Sequence, residues 1–493
     1  MTLILLFQYT HMVTSAPVRH RRVISALGLL MVLAPLGAYW APTSGDAPST
    51  TADGVADYVE RWRSANAVPG AAVAVIDGGE TTVHLSGVDG DGNELAIDTG
   101  FLIGSVAKTF TSTLILQHVT EGRIALDEPA ATYLDWWGAE DVSVRMLLTH
   151  TSGLTAADGL AVSERYTTGD HAVEAAARDL AQSGTAGVYE YSSANYLMLG
   201  AIIEAVSGRS YAAELTDQVL EPLGMEATAA TAADAAGPAP GHRIWSGRWA
   251  RAYDVRLDDS GAPYGYVMST LEELATYAEA HLNGGLVDDE LRSLAWSMQE
   301  RNGVSSGYGF GWRVEQDGDS LVVHHTGATP GYFAHLWLVP EEDRAVIVLA
   351  NAYSEARAPS LVAAAADISA ITAGGSRHVS AGEPLLTWLP AGLLVLGLSG
   401  IAAGVALGAG RLGRWWLWAC LAAIVITAVV LAPVLIGATW RTIGIWTPDL
   451  YAGLLAAGSG CGFALLAALT RFRRPQGALT EPAPDAHGDT RGQ

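Results

Sequence analysis

Phe101-Leu-Ile-Gly-Ser-Val-Ala-Lys-Thr-Phe-Thr111 is the stretch on which the reading of this chain turns. Ser105 and Lys108 stand three residues apart where a Gly-Ser pair opens a pattern expected to run as an amphipathic helix over 101–122. On a helix that spacing puts both side chains on one face, about one turn apart. A lysine drawn out of water loses proton affinity and can take or relay the proton of a neighbouring hydroxyl, which makes that serine a nucleophile. Four-residue patterns recur by chance, so the lysine count matters. The chain has 28 Lys plus Arg, and all but Lys108 are arginine. Arginine cannot exchange a proton near neutral pH, and the single lysine falls beside a serine at a helix start.

The 493 residues are 50% hydrophobic and 16% charged, with a net charge of −23. At roughly 100–200 residues per domain, such a chain builds a large core and more than one domain. The acid excess excludes nucleic acid, which needs a basic footprint. The charge is uneven: the first 40 residues carry +3, residues from 385 onward +3, and the segment 41–384 between them −29. An acidic centre between basic, apolar ends is the pattern of a soluble domain tethered to a membrane. Both cysteines, Cys420 and Cys461, lie in apolar stretches near the C-terminus. The centre therefore has no disulfide, thiolate nucleophile or zinc–cysteine site, and no His-Glu-x-x-His pair occurs. No metal or cofactor is expected.

Residues 1–41 combine Arg19, Arg21 and Arg22 with an apolar run and read as a signal peptide or an N-terminal membrane anchor. Residues 42–54 read as a linker, 55–375 as the chemical domain, 376–384 as a second linker and 475–493 as a disordered cytoplasmic tail. Within the domain, 55–65 reads as a helix, 71–76 and 81–87 as a hairpin, and 196–207 and 271–282 as helices. Three late runs, 320–324, 334–339 and 345–350, read as strands that could join the early hairpin. The whole is an α+β pattern: an antiparallel sheet flanked by helices, with a mostly helical middle.

Residues 385–474 differ. The uncharged runs 384–410, 415–440 and 450–470 are each long enough to cross about 30 Å of hydrocarbon and read as three transmembrane helices. Arg411 and Arg414 follow the first run, and Arg471, Arg473 and Arg474 follow the third, whereas the turn 441–449 has one Arg and one Asp. The positive-inside rule then leaves the C-terminus cytoplasmic and the chemical domain extracytoplasmic, in a multi-pass protein of the cell membrane whose lipid partner is the bilayer. The chain does not say which protein, if any, the spans engage.

Two further clusters carry chemistry. Tyr189-Glu-Tyr-Ser-Ser-Ala-Asn-Tyr196 offers a tyrosine that could ionise more readily beside an ammonium group and act as a base. His324-His-Thr-Gly327 follows a strand-like run and precedes Ala328. There a strand edge could line a cleft, with a histidine as donor or cation and small residues admitting substrate backbone.

In this order the three clusters resemble the boxes S-x-x-K, Y-x-N and [KH]-[TS]-G of the serine β-lactamase and penicillin-binding protein superfamily, best in its class C-like branch of D-Ala-D-Ala carboxypeptidases, D-aminopeptidases and esterases. Leu147-Leu-Thr-His-Thr-Ser-Gly-Leu154, Glu221-Pro-Leu-Gly-Met225 and Tyr308-Gly-Phe-Gly-Trp312 look like the same family. The resemblance covers about 55–375 and not the C-terminal spans. It implies a β-lactamase/transpeptidase-like fold, with Ser105 as nucleophile, Lys108 as its activating partner and Tyr191 as general base. The backbone N–H groups of Ser105 and Ala328 would form an oxyanion hole. Ser193, His325, Thr326 and Gly327 would bind a small-molecule or peptide substrate. One departure stands out: the second box has Ser193 where the family has Asn, and Asn195 should not point the same way. The implied activity is hydrolysis of amides or esters through an acyl-enzyme, with weak or no β-lactamase turnover. The alternative is a non-catalytic penicillin-recognising sensor or partner-binding module.

Overall fold

The computed structural model describes residues 51–52, 54–234 and 237–472. The N-terminal apolar segment, most of the first linker and the C-terminal tail lie outside them. In chain order the elements that build the site are α1 (Val55–Ala65), β1 (Gly70–Asp77), β2 (Glu80–Gly87), α2 (Ala107–Thr120), α3 (Ser193–Ser207) and α4 (Leu271–Asn283). Then come β3 (Glu300–Arg301), β4 (Ser306–Tyr308), β5 (Arg313–Asp317), β6 (Ser320–Thr329), β7 (Tyr332–Val339), β8 (Arg344–Ala350) and α5 (Ala358–Thr372).

The late strands do join the early hairpin. One eight-stranded sheet runs in the order β2-β1-β8-β7-β6-β5-β4-β3, and its neighbours are antiparallel throughout. Ile76 on β1 faces Ala345 on β8, so the sheet closes across most of the domain's length in sequence. Every residue of β7 and β8 is buried, because both faces of the sheet are covered. Alternate side chains point to opposite faces. Ala72, Ala74, Ile76, Leu336 and Ile347 face a core shared with α2, α3 and α4. Val73, Val75, Trp337, Val346 and Val348 face a second core formed with α1 and α5.

The stretch 101–122 departs from the single amphipathic helix expected of it. Phe101–Leu102 is a short strand paired with Met268–Ser269, and Gly104–Val106 is a 3₁₀ turn leading into α2. From Ala107 to Leu116 every residue of α2 is buried, so the helix has no solvent face there. Its polar side chains are bonded inward instead: Thr109 donates to the Val106 carbonyl at 2.8 Å, Thr111 to Pro263 at 2.7 Å and Ser112 to Phe310 at 2.7 Å. Hydroxyls that reach a carbonyl can be buried at little cost.

Among the described residues, a second unit consists of residues 390–432 and 452–472. It contains the bulk of α6 (Pro384–Gly408), α7 (Trp415–Leu435) and α9 (Pro448–Phe472), three helices long and apolar enough to cross a membrane. Val395, Leu398, Val405 and Leu421 are exposed on them. The expected turn between the second and third apolar runs instead contains a short helix, α8 (Trp440–Trp446), and residues 433–451 belong to the first unit.

The second core rests on Trp62, which is 1% exposed and donates its indole N–H to the Ser360 carbonyl at 3.0 Å. Trp62→Ala leaves a cavity and an unpaired carbonyl. It is expected to lower the unfolding free energy by about 3–5 kcal/mol, read as a fall in the chemical-unfolding midpoint of the purified chain at unchanged slope.

Candidate active site

Ser105 lies in the 3₁₀ turn at the entrance to α2, and Lys108 lies in the first turn of that helix. Ser105 is half-buried; Lys108 is fully buried. The lysine Nζ is 2.9 Å from Ser105 Oγ, 3.3 Å from Ser193 Oγ and 2.8 Å from the Tyr264 carbonyl oxygen. The rings of Tyr191, Tyr196 and Tyr264 surround it at 5.3–5.8 Å. Burial, and next the charge of Arg313, hold its pKa well below the ordinary lysine value. A neutral amine has two N–H donors and one lone pair. The Tyr264 carbonyl can only accept, and Ser193 Oγ can accept the second N–H. The lone pair is then left for the Ser105 hydroxyl, which donates to it.

Tyr191 sits in the loop before α3, buried, with its ring 5.3 Å from Lys108 Nζ. Its neighbours do not make it more acidic. Burial pushes its pKa up to about 12, and the opposing pull of Arg313 and of nearby Ser105 is smaller. At neutral pH it is a phenol that donates. His150 holds the loop: its Nδ1 accepts from the Ser192 backbone N–H at 3.2 Å, and its ring lies 4.4 Å from that of Tyr191. Asn195 points into this scaffold, accepting from Ser152 Oγ at 2.5 Å, while Ser193 reaches the lysine.

The third cluster lies on β6. Pairing with β5 ends at His324, opposite Arg313, so the segment from His325 to Thr329 has a partner on the β7 side only. The strand is internal at one end and an edge at the other. Gly104 and Gly327 let this free segment approach the turn that holds Ser105. Gly104 has φ +54°, and a Cβ there would lie 2.3 Å from Ala328 N. A Cβ on Gly327 would lie 1.9 Å from the Ile103 carbonyl and 2.9 Å from Ser105 N. The backbone nitrogens of Ser105 and Ala328 thereby flank one close contact between the two segments. Thr326 is half-exposed on the free segment. His325 Nδ1 donates to the Thr326 carbonyl at 2.8 Å, and its Nε2 accepts from Tyr308 Oη at 3.1 Å. Burial, and next the charge of Arg313, hold its pKa well below the ordinary histidine value.

The fixed positive charge of the site therefore belongs to Arg313 beside Tyr191, which sequence reasoning passed over. Its guanidinium stacks on the Tyr191 ring, 5.3 Å from the centroid. Its Nε is buried without a hydrogen-bond partner among the described residues. The only signal was its position directly after Tyr308-Gly-Phe-Gly-Trp312. The Tyr264 carbonyl, a backbone atom in a loop, left none.

Residues 55–370 match the family described as Beta-lactamase, and the chain belongs to that family within the serine β-lactamase and penicillin-binding protein superfamily. Its chain is 31% identical to penicillin-binding protein 4 of Amycolatopsis lactamdurans, over 60% of this chain and 85% of that protein. It is 26% identical to protein flp of Staphylococcus aureus over 58% of this chain, and spans only 60% of that relative's length. A D-stereospecific amidohydrolase from a Streptomyces species has the same fold, with a TM-score of 0.51 at 23% identity, over 62% of this chain and 98% of its own.

Protonation of Lys108 removes the lone pair that faces Ser105. The rate of Ser105 acylation is expected to fall as pH drops through the depressed lysine pKa and to level off above it, at a midpoint well below 10.5. Lys108→Arg should cut that rate at least about a hundredfold, about 2.7 kcal/mol, at every pH. Stopped labelling with a fluorophosphonate across the pH range checks both; a flat profile would remove Lys108 from the proton transfer.

Proposed function

We propose that this protein is an exported, membrane-anchored serine hydrolase that works through an acyl-enzyme on amides or esters of D-amino-acid type. The observation that carries the reading is the buried lysine whose Nζ lies 2.9 Å from Ser105 Oγ. In acylation, Ser105 gives its proton to Lys108 and its oxygen bonds to the substrate carbonyl carbon. The carbonyl oxygen takes the negative charge against the N–H groups of Ser105 and Ala328, a contribution of roughly 3–4 kcal/mol for each donor in comparable sites. Collapse breaks the bond to the leaving amine or alcohol, which takes a proton from Lys108 through the Tyr191 phenol. Water then attacks the ester, passes its proton back along the same groups, and releases the carboxylic acid and Ser105. Ser193 replaces the Asn amide of the second box as the lysine's acceptor, but it is short and reaches less far toward an acylamide group.

Arg313 narrows the substrate class. A partly buried guanidinium without an ion pair among the described residues, against the Tyr191 ring, suits a substrate carboxylate. The relationship to a penicillin-binding protein and the fold shared with a D-stereospecific amidohydrolase agree with a peptide ending in a D-amino acid.

The membrane reading rests on α6, α7 and α9 and on the charge of the turns. It is also supported by residues 433–451, which pack with the hydrolase domain and so lie on the same side of the bilayer as Ser105. The first span then runs inward and the tail is cytoplasmic. A C-terminal reporter that is active only after export should stay silent; signal from it would overturn this topology.

Ser105 should carry the adduct of a fluorophosphonate or a fluorescent β-lactam by mass spectrometry, and an adduct elsewhere would sink the assignment. Arg313→Ala should raise KM at least about tenfold for substrates with a free carboxylate. It should leave the same substrates, amidated, nearly unchanged; equal effects on both would mean that Arg313 does not read the carboxylate.

A further inference from the structure

The connection between the second and third apolar helices is docked on the hydrolase domain. Arg441 donates to the Glu164 carbonyl at 2.7 Å and also to the Ser163 carbonyl. Trp446 donates its indole N–H to Glu164 Oε1 at 3.1 Å, and its ring meets Tyr353 edge-on at 5.8 Å. Asp449 accepts from the Ser246 backbone N–H at 2.8 Å. The segment it clamps is unusual. Glu164 and Tyr166 both have positive φ, +52° and +56°, without being glycine. Such a backbone persists only where its surroundings over-determine it. Glu164 is also 3% exposed, and burial raises its carboxyl pKa.

The clamped segment leads to the active site in a few bonds. The backbone N–H groups of Tyr166 and Thr167 donate to the Asp258 carboxylate at 3.0 and 3.2 Å. Ser260 Oγ donates to the same carboxylate at 2.6 Å, and its backbone N–H to the Thr167 carbonyl at 3.3 Å. The loop then folds on itself through Gly261, whose carbonyl accepts from Tyr264 N and Gly265 N. That turn aims the Tyr264 carbonyl at Lys108 Nζ. This carbonyl orients the amine so that its lone pair meets Ser105.

We infer that Arg441 and Trp446, which lie between two candidate membrane spans, are positioning residues for Lys108, acting through the 163–167 segment and the Tyr264 carbonyl. Resting on the serine-hydrolase reading above, this makes the rate of acylation depend on a segment outside the family-matched residues. Detaching the loop loosens the strained segment, shifts the carbonyl and lets the amine turn from Ser105.

The test uses the full chain in detergent and a fluorescent fluorophosphonate. It reads three quantities: the fraction of chains labelled at saturation, the half-saturating probe concentration, and the rate constant of bond formation at saturating probe. Arg441→Ala and Trp446→Phe, which keeps an aromatic ring against Tyr353, should each lower the rate constant, by about tenfold for the first and roughly three- to tenfold for the second. The other two quantities should stay near wild type, and Arg441→Lys should restore part of the loss. A rate constant unchanged in Trp446→Phe overturns the inference, whether or not the labelled fraction drops, because a merely structural loop would alter only the number of competent chains. Should Arg441→Ala fail to fold, Trp446→Phe decides alone. Absence of labelling in the wild-type chain would instead refute the hydrolase reading.

Discussion

Burying Lys108 without a carboxylate partner is the constraint around which the hydrolase domain is arranged. A charged ammonium sealed from water and facing no anion is costly by several kcal/mol, and a protein escapes that cost by giving up the proton. Everything that touches the amine fits the neutral form. A backbone carbonyl and a serine oxygen take its two hydrogens, three tyrosine rings fill the remaining space, and Arg313 adds a like charge that opposes protonation. The fold bears this arrangement because α2 is enclosed on both sides, by the sheet and by the helical middle of the domain.

The second requirement is proximity between segments distant in sequence. The Ser105 turn and the free end of β6 approach so closely that neither Gly104 nor Gly327 tolerates a Cβ. The sheet makes this approach possible by ending β5 opposite His324, which frees one side of the strand where a substrate backbone could pair. The sheet order β2-β1-β8-β7-β6 holds that free end in register through a chain of antiparallel pairs running back to the N-terminal hairpin.

Local chemistry was legible in the sequence, and long-range geometry was not. The hairpin, α1 and the late strands follow from apolar runs bounded by turn residues, and Ser105 with Lys108 follows from spacing and from the rarity of lysine. The helix after Ser105 departs from the expected amphipathic pattern because threonines and serines signal a polar face, whereas here each finds a carbonyl inside. Arg313 carries no local signal, since its meaning comes from Tyr191, far away in the chain. Likewise nothing in residues 441–449 marks them as part of the hydrolase domain. Their role follows from two carbonyls and a carboxylate at 163–164, on a backbone whose left-handed turns no local pattern announces.

The division between one lysine and many arginines has a physical consequence at this site. Lys108 must be able to lose its proton, and Arg313 must not. Arginine stays protonated in surroundings that neutralise lysine, because its charge is delocalised and its pKa lies above about 12. Exchanging the two residue types would fail in both directions. Arginine at 108 would have no lone pair to offer Ser105. Lysine at 313, a partly buried neighbour of another amine, would itself be driven toward the neutral form, removing the fixed charge that both suits a carboxylate and helps to keep Lys108 deprotonated. At Arg441 a different property counts: a planar fork reaches two successive carbonyls, at Ser163 and Glu164, where a single ammonium would have to share its hydrogens between them with poorer geometry. The arginine-rich composition, uninformative as a bias, thus leaves Lys108 as the one amine at this site.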